Sequence, residues 1–154
     1  MIPIEHIHPM LVHFPIVFFL TLAALDSVAV FRGASITGRS AVGNIAAGLA
    51  VLSALGAISA FALGDAALEI AQAGGFMSEV GEIHETLGTV TVVLFSAWAA
   101  LRVYLWMKDI TISGAKVWMM LLVEAGGAAI VLTTAFYGGT LVYELGVNVA
   151  RAAQ

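Results

Sequence analysis

Four apolar stretches organise this chain, each long enough to cross a bilayer and each set off by a polar break. They run from about residue 9 to 31, 40 to 64, 83 to 106 and 116 to 137. About 20 apolar residues suffice to cross roughly 30 Å of hydrocarbon. The pattern therefore predicts an all-α integral membrane four-helix bundle, one four-span domain over residues 1–154. The breaks from Arg32 to Arg39 and from Met107 to Ala115 are short, which predicts two antiparallel hairpins. The connection from Asp65 to Glu82 is longer and acidic, with Asp65, Glu69, Glu79 and Glu82 and no basic residue. No internal repeat stands out.

Composition agrees with this reading. Apolar residues make up 61% of the chain and charged residues 10%, against about 25% charged in soluble domains. The mean hydropathy is +1.03. No cysteine is present, which excludes disulfides, thiolate metal sites, iron–sulfur clusters and covalent c-type haem. A net charge of −4 argues against a nucleic-acid partner. Met1 to Met10 holds Glu5 and no Lys or Arg, so no signal peptide is expected and the first run is expected to stay as a span.

Charge placement gives an orientation. Arg32, Arg39, Arg102, Lys108 and Lys116 fall at one end of the bundle and Arg151 at the other. The basic end is expected to be cytoplasmic. Both termini, the acidic connection and the tail 138–154 would then face the periplasm, with the protein multi-pass in a bacterial inner membrane. All four histidines, His6, His8, His13 and His84, would lie at that outer end.

Small residues suggest close helix approach. Gly56, Ala60 and Gly64 form a row spaced by four in span two, a pattern that lets helix backbones meet in lipid. Gly88 lies one turn beyond His84 on the same helical face, where it would clear space for a flat ligand. Glycine- and alanine-rich faces also leave room for a homodimer or a larger complex.

The chemistry concentrates in His8-Pro9-Met10-Leu11-Val12-His13-Phe14-Pro15. Imidazoles are costly to place in an apolar medium without a partner. His13, one turn inside span one, and His84, opening span three, are expected at similar depth. Two neutral imidazoles on facing helices suit the two axial positions of a b-type haem iron, with Phe14 and Gly88 lining the pocket. His13 and His84 are the expected metal ligands. His8, preceding Pro9, reads as a helix boundary residue and an alternative ligand, and Pro15 is expected to kink the helix. Tyr143 in the tail would place a hydroxyl near the imidazoles or a propionate. The sequence also allows copper at His6, His8, Met10, His13, Met77 and His84, and a cofactor-free accessory role in which histidines only cap and anchor. Zinc hydrolysis finds little support, since no HExxH motif occurs.

A second polar set lies toward the basic end: Asp26, Arg102 and Glu124. An intramembrane acid needs a counter-ion or a proton. An Asp26–Arg102 ion pair, a proton relay and a quinone contact are all open.

The segment His8 to Ile16, His84 with Gly88, and Gly139-Thr140-Leu141-Val142-Tyr143-Glu144-Leu145-Gly146-Val147 resemble a family of small bacterial four-helix membrane proteins. That family carries a domain-of-unknown-function label and an HP-x-LVHFPI signature, and the resemblance spans essentially the whole chain. Related domains are joined to cytochrome c-like or Rieske-type modules, which implies redox work at the outer face with a separate periplasmic cytochrome or Rieske-type partner here. The resemblance singles out His8, His13, His84 and the tail. The expected function is b-type haem electron transfer between a quinone pool or respiratory complex and such a partner, with no catalytic residue of its own.

Overall fold

The computed structural model describes the backbone of residues 4–149 and the side chains of residues 6–149. Arg151 and the end of the tail lie outside the described residues. Five helices follow one another: α1 (Ile4–Leu11), α2 (His13–Phe31), α3 (Ala41–Ala73), α4 (Glu79–Met107) and α5 (Ala115–Tyr143). Four spans result, because α1 and α2 form a single span from His6 to Phe31 interrupted at Val12. The interruption has a chemical cause. Pro15 stands in the first turn of α2, where an amide needs no intrahelical partner, so the chain breaks just before it.

The helices outrun the apolar stretches. The rise of 1.5 Å per residue makes the 33-residue α3 about 50 Å long, more than the hydrocarbon layer requires. Asp65 and Glu69 accordingly ride on the last turns of α3 rather than in a loop, and Tyr143 ends α5 rather than lying in a separate tail. Ser40 and Ser78 cap α3 and α4 by accepting the amides of Gly43 at 2.9 Å and Val80 at 3.2 Å.

The bundle is built with small residues inside and large ones outside. Ala46, Ala50, Ala54, Ala57 and Ala60 line the buried face of α3, while Phe31, Leu122 and Phe136 are exposed. A water-soluble bundle would do the reverse. In lipid, helix association rests on close packing, and α3 shows it: a Cβ at Gly56 would stand 3.0 Å from Pro15 of α2. Around the bundle the order is α2, α3, α4, α5 and back to α2, with α1 folded onto α3 and its Cα atoms more than 8 Å from those of α4 and α5.

A repeat emerges that the sequence pattern had not disclosed. His8 meets His84, Phe19 stacks on Phe95 and Asp26 pairs with Arg102, and in each pair the partners are 76 residues apart. In the same register Ile7 matches Ile83, Leu11 matches Leu87, Val17 matches Val93, and Ala23-Ala24-Leu25 matches Ala99-Ala100-Leu101. Ile36-Thr37 and Ile110-Thr111 recur in the two short connections. The first span with α3, and α4 with α5, are thus two copies of one helical hairpin. They are related by a pseudo-two-fold axis running along the bundle, the parallel type of membrane repeat. Residues on the axis meet their own equivalents.

The two connections at the basic end are clasped to one another. Asp109 Oδ1 accepts the Arg39 amide at 2.7 Å, and Thr37 Oγ1 accepts the Ile112 amide at 2.8 Å. Midway along the axis, Phe19 and Phe95 lie face to face, with ring centres 3.9 Å apart and planes 8° from parallel. Gly127 admits this stack, since a Cβ there would come within 2.5 Å of Phe19 Cζ. Gly127→Val is therefore expected to destabilise the bundle by about 1–3 kcal/mol through overpacking. Gly126→Ala, which meets nothing within 4 Å, is expected to be neutral. Thermal unfolding in detergent, followed by circular dichroism, checks the contrast.

Candidate functional site

At the histidine end the two hairpins part. Since the backbone of α1 stays clear of those of α4 and α5, a cavity of about 400 Å³ opens between α1 and α3 on one side and α4 and α5 on the other. Its walls are mainly apolar, with Ile16, Phe61, Leu68, Val92 and Val131 among them. The volume lies within the ~300–1,000 Å³ usual for small-molecule and cofactor sites. The turn after α5 closes over it, since Val147, Asn148 and Val149 line the cavity and Asn148 Nδ2 donates to Ala67 O at 3.1 Å.

His8 and His84 face each other across the axis. Their ring centres are 6.2 Å apart and their planes stand at 81°. Both imidazoles are held alike by the helix next to them. His8 Nδ1 donates to Ala60 O of α3 at 2.7 Å, and His84 Nδ1 donates to Thr134 O of α5 at 3.0 Å. A carbonyl only accepts, so each Nδ1 carries the proton and each neutral ring keeps its lone pair on Nε2.

A glycine one turn beyond each carbonyl makes room for the ring. A Cβ at Gly64 would stand 2.7 Å from His8 Cε1, and one at Gly138 would stand 2.9 Å from His84 Cε1. No real side chain tolerates such approaches, so both positions require glycine. Thr91, which lines the cavity, adds to the scaffold of His84: its hydroxyl lies 3.1 Å from that of Thr134 and bonds Leu87 O at 2.8 Å.

The arrangement revises part of the expected site. His84 pairs with His8 and not with His13. His13 is exposed, lies at the cavity margin and has Nδ1 3.4 Å from Met10 O. The reason is helical phase: α1 begins upstream of Pro9, so His8 occupies a helix face rather than a boundary. At about 3.6 residues per turn the face that holds His8 continues through Val12 to the buried Pro15, Phe19 and Asp26, and His13 and Phe14 fall on other faces. Phe14 is 51% exposed, packs on Phe18 and is absent from the cavity wall. Gly88 does line the cavity, opposite Phe61. Tyr143 reaches its rim with 89% of its surface exposed, too open to hold an imidazole. Met10 and Met77, grouped with copper, are exposed and outside the cavity wall. Sequence reasoning missed Gly64, Gly138, Ala60 and Thr134 as the histidine supports, and the 76-residue register would have found them.

The second polar set is assembled at the other end. Arg102 Nη1 lies 2.6 Å from Asp26 Oδ2 and 3.6 Å from Glu124 Oε1, and its Nη2 donates to Ile36 O at 2.7 Å. Trp98 Nε1 donates to Glu124 Oε1 at 3.3 Å. All three charged side chains are buried, and the expected Asp26–Arg102 ion pair is present.

A family model described as "Predicted membrane protein (DUF2231)" matches residues 5–151. No curated protein and no solved structure matches the chain.

The tie between each imidazole and its supporting glycine gives a test independent of any ligand. In protein carrying nitrogen-15 histidine, wild type is expected to show two Nδ1-protonated neutral rings. Gly64→Ala is expected to disturb the His8 signal and spare that of His84, and Gly138→Ala to do the opposite.

Proposed function

We propose that this chain, which belongs to the DUF2231 family of predicted membrane proteins, binds a b-type haem between His8 and His84 and carries electrons near one membrane face. The observation that carries the reading is the spacing of the two rings. An imidazole nitrogen bonds a first-row metal at about 2.0–2.1 Å and lies roughly 1.2 Å from its ring centre, so two rings on opposite sides of one metal stand about 6.5 Å apart. The rings here are 6.2 Å apart.

Further features support haem over a bare ion. Each Nδ1 is tied to a backbone carbonyl, the outer-sphere bond that fixes the tautomer and orientation of a ligating histidine. The cavity beside the rings is apolar and is bounded by both hairpins, as a porphyrin between facing helices requires. A bound haem would supply the one-electron couple, while the chain sets its position, surroundings and potential.

The basic end is taken as cytoplasmic by the positive-inside rule, which puts the haem near the periplasmic face of a bacterial inner membrane. Electrons would pass between the quinone pool or a respiratory complex and a separate periplasmic cytochrome or Rieske-type protein. The exposed carboxylates Asp65, Glu69, Glu79, Glu82 and Glu85 at that end favour a partner with a basic docking face.

Protein purified after expression with haem supplied is expected to show a Soret band and, on reduction, a sharp α band. His8→Ala and His84→Ala are expected to lower haem affinity about tenfold or more, whereas His13→Ala keeps the spectrum. A colourless wild type contradicts haem binding. Loss of the spectrum in His13→Ala, with His8→Ala unaffected, contradicts the ligand pair.

A further inference from the structure

The cluster at the basic end has an imbalance that the ion pair does not resolve. Two carboxyl groups, Asp26 and Glu124, meet a single guanidinium, and all three side chains are fully or almost fully enclosed by the bundle. The other charged residues of this end, Arg32, Arg39, Lys108, Asp109 and Lys116, are exposed and free to stay in water. An uncompensated charge inside a membrane is among the costliest things a protein can hold.

The hydrogen bonds show where the imbalance falls. Of the four carboxylate oxygens, Asp26 Oδ2 takes Arg102, and Glu124 Oε1 takes the indole of Trp98 with Arg102 farther off. Asp26 Oδ1 and Glu124 Oε2 are buried and have no donor among the described residues. The two carboxyl groups nevertheless converge on the same guanidinium nitrogen, Arg102 Nη1, at 2.6 and 3.6 Å. Two buried acceptors side by side repel unless a hydrogen lies between them. Arg102 Nη2 is held by Ile36 O, and among the described residues no donor reaches either orphan oxygen.

We propose that Asp26 and Glu124 hold one proton between them, so that with Arg102 they form a neutral proton-binding site inside the membrane. Asp26, 2.6 Å from the guanidinium, is the carboxylate; Glu124, at 3.6 Å, is the acid and donates to Asp26. The proton satisfies both orphan oxygens and removes the excess negative charge in one step. It also explains why a second acid accompanies an ion pair that is complete without it. The site is independent of the histidines, which lie at the opposite end beyond the Phe19–Phe95 stack.

Infrared spectroscopy of the purified full chain at neutral pH tests the proposal. Wild type is expected to show one protonated carboxyl C=O stretch per chain that moves on deuteration and on carbon-13 labelling of glutamate. Glu124→Gln is expected to remove it. Asp26→Asn is also expected to remove it, because Glu124 then ionises as the counter-ion of Arg102. A wild-type spectrum without a protonated carboxyl overturns the proposal, and so does a band that survives both substitutions. The labelling arm needs no variant, so a substitution that fails to fold leaves the test intact.

Discussion

A bilayer offers no water to a polar side chain, so each polar group inside it must find its partner within the protein. In this bundle the chain supplies those partners from its own second copy. Asp26 faces Arg102 and His8 faces His84 across one pseudo-two-fold axis, with the Phe19–Phe95 stack between them. At the axis a residue and its equivalent are forced together. Two like residues suit an aromatic stack or a shared ligand; a buried charge does not tolerate its like. The two hairpins differ where that demand is strongest, with an acid in one and a base in the other, while the histidines and phenylalanines are alike.

The same symmetry accounts for the shape of the histidine site. Each hairpin contributes one imidazole from its first span and one carbonyl with a following glycine from its second, so Ala60 and Gly64 do for His8 what Thr134 and Gly138 do for His84. A site assembled in this way holds two imidazoles alike, one from each hairpin, with ring centres 6.2 Å apart. That is the symmetry of the axial positions of a haem iron. The surrounding core of alanine and glycine brings the helix backbones close along the rest of the bundle, and the cavity lies where α1 stops short of α4 and α5.

The spans, the hairpins and the Asp26–Arg102 pair were legible in the sequence, because hydropathy and intramembrane charge are strong signals governed by the solvent. The site was legible only in part. His84 and Gly88 lie on a continuous helix, where counting residues fixes the face. His8 and His13 are harder, because Pro9 reads as a helix start and makes His8 a cap, which leaves His13 as the inward residue. The true start is further upstream, and with about 3.6 residues per turn His8 then shares a face with Pro15, Phe19 and Asp26 while His13 lies about 140° around the helix. Phe14 was misplaced by the same error. The repeat escaped notice because its hydropathy is uniform, and only pairs in contact bring out the few matched positions that define it. Helix ends were drawn short because Asp65, Glu69 and Tyr143 are polar or amphipathic, although helices continue freely into the membrane interface.

The central claim is that the two imidazoles on the axis share one haem iron, with their planes nearly perpendicular. Electron paramagnetic resonance of the oxidised, haem-loaded protein examines ligand identity and ring geometry together. The 81° angle between the ring planes predicts a low-spin ferric signal of the highly anisotropic kind, dominated by a single large g value. A high-spin ferric spectrum would contradict the account by showing that the axial pair is incomplete. A rhombic low-spin spectrum of parallel imidazoles would contradict the geometry.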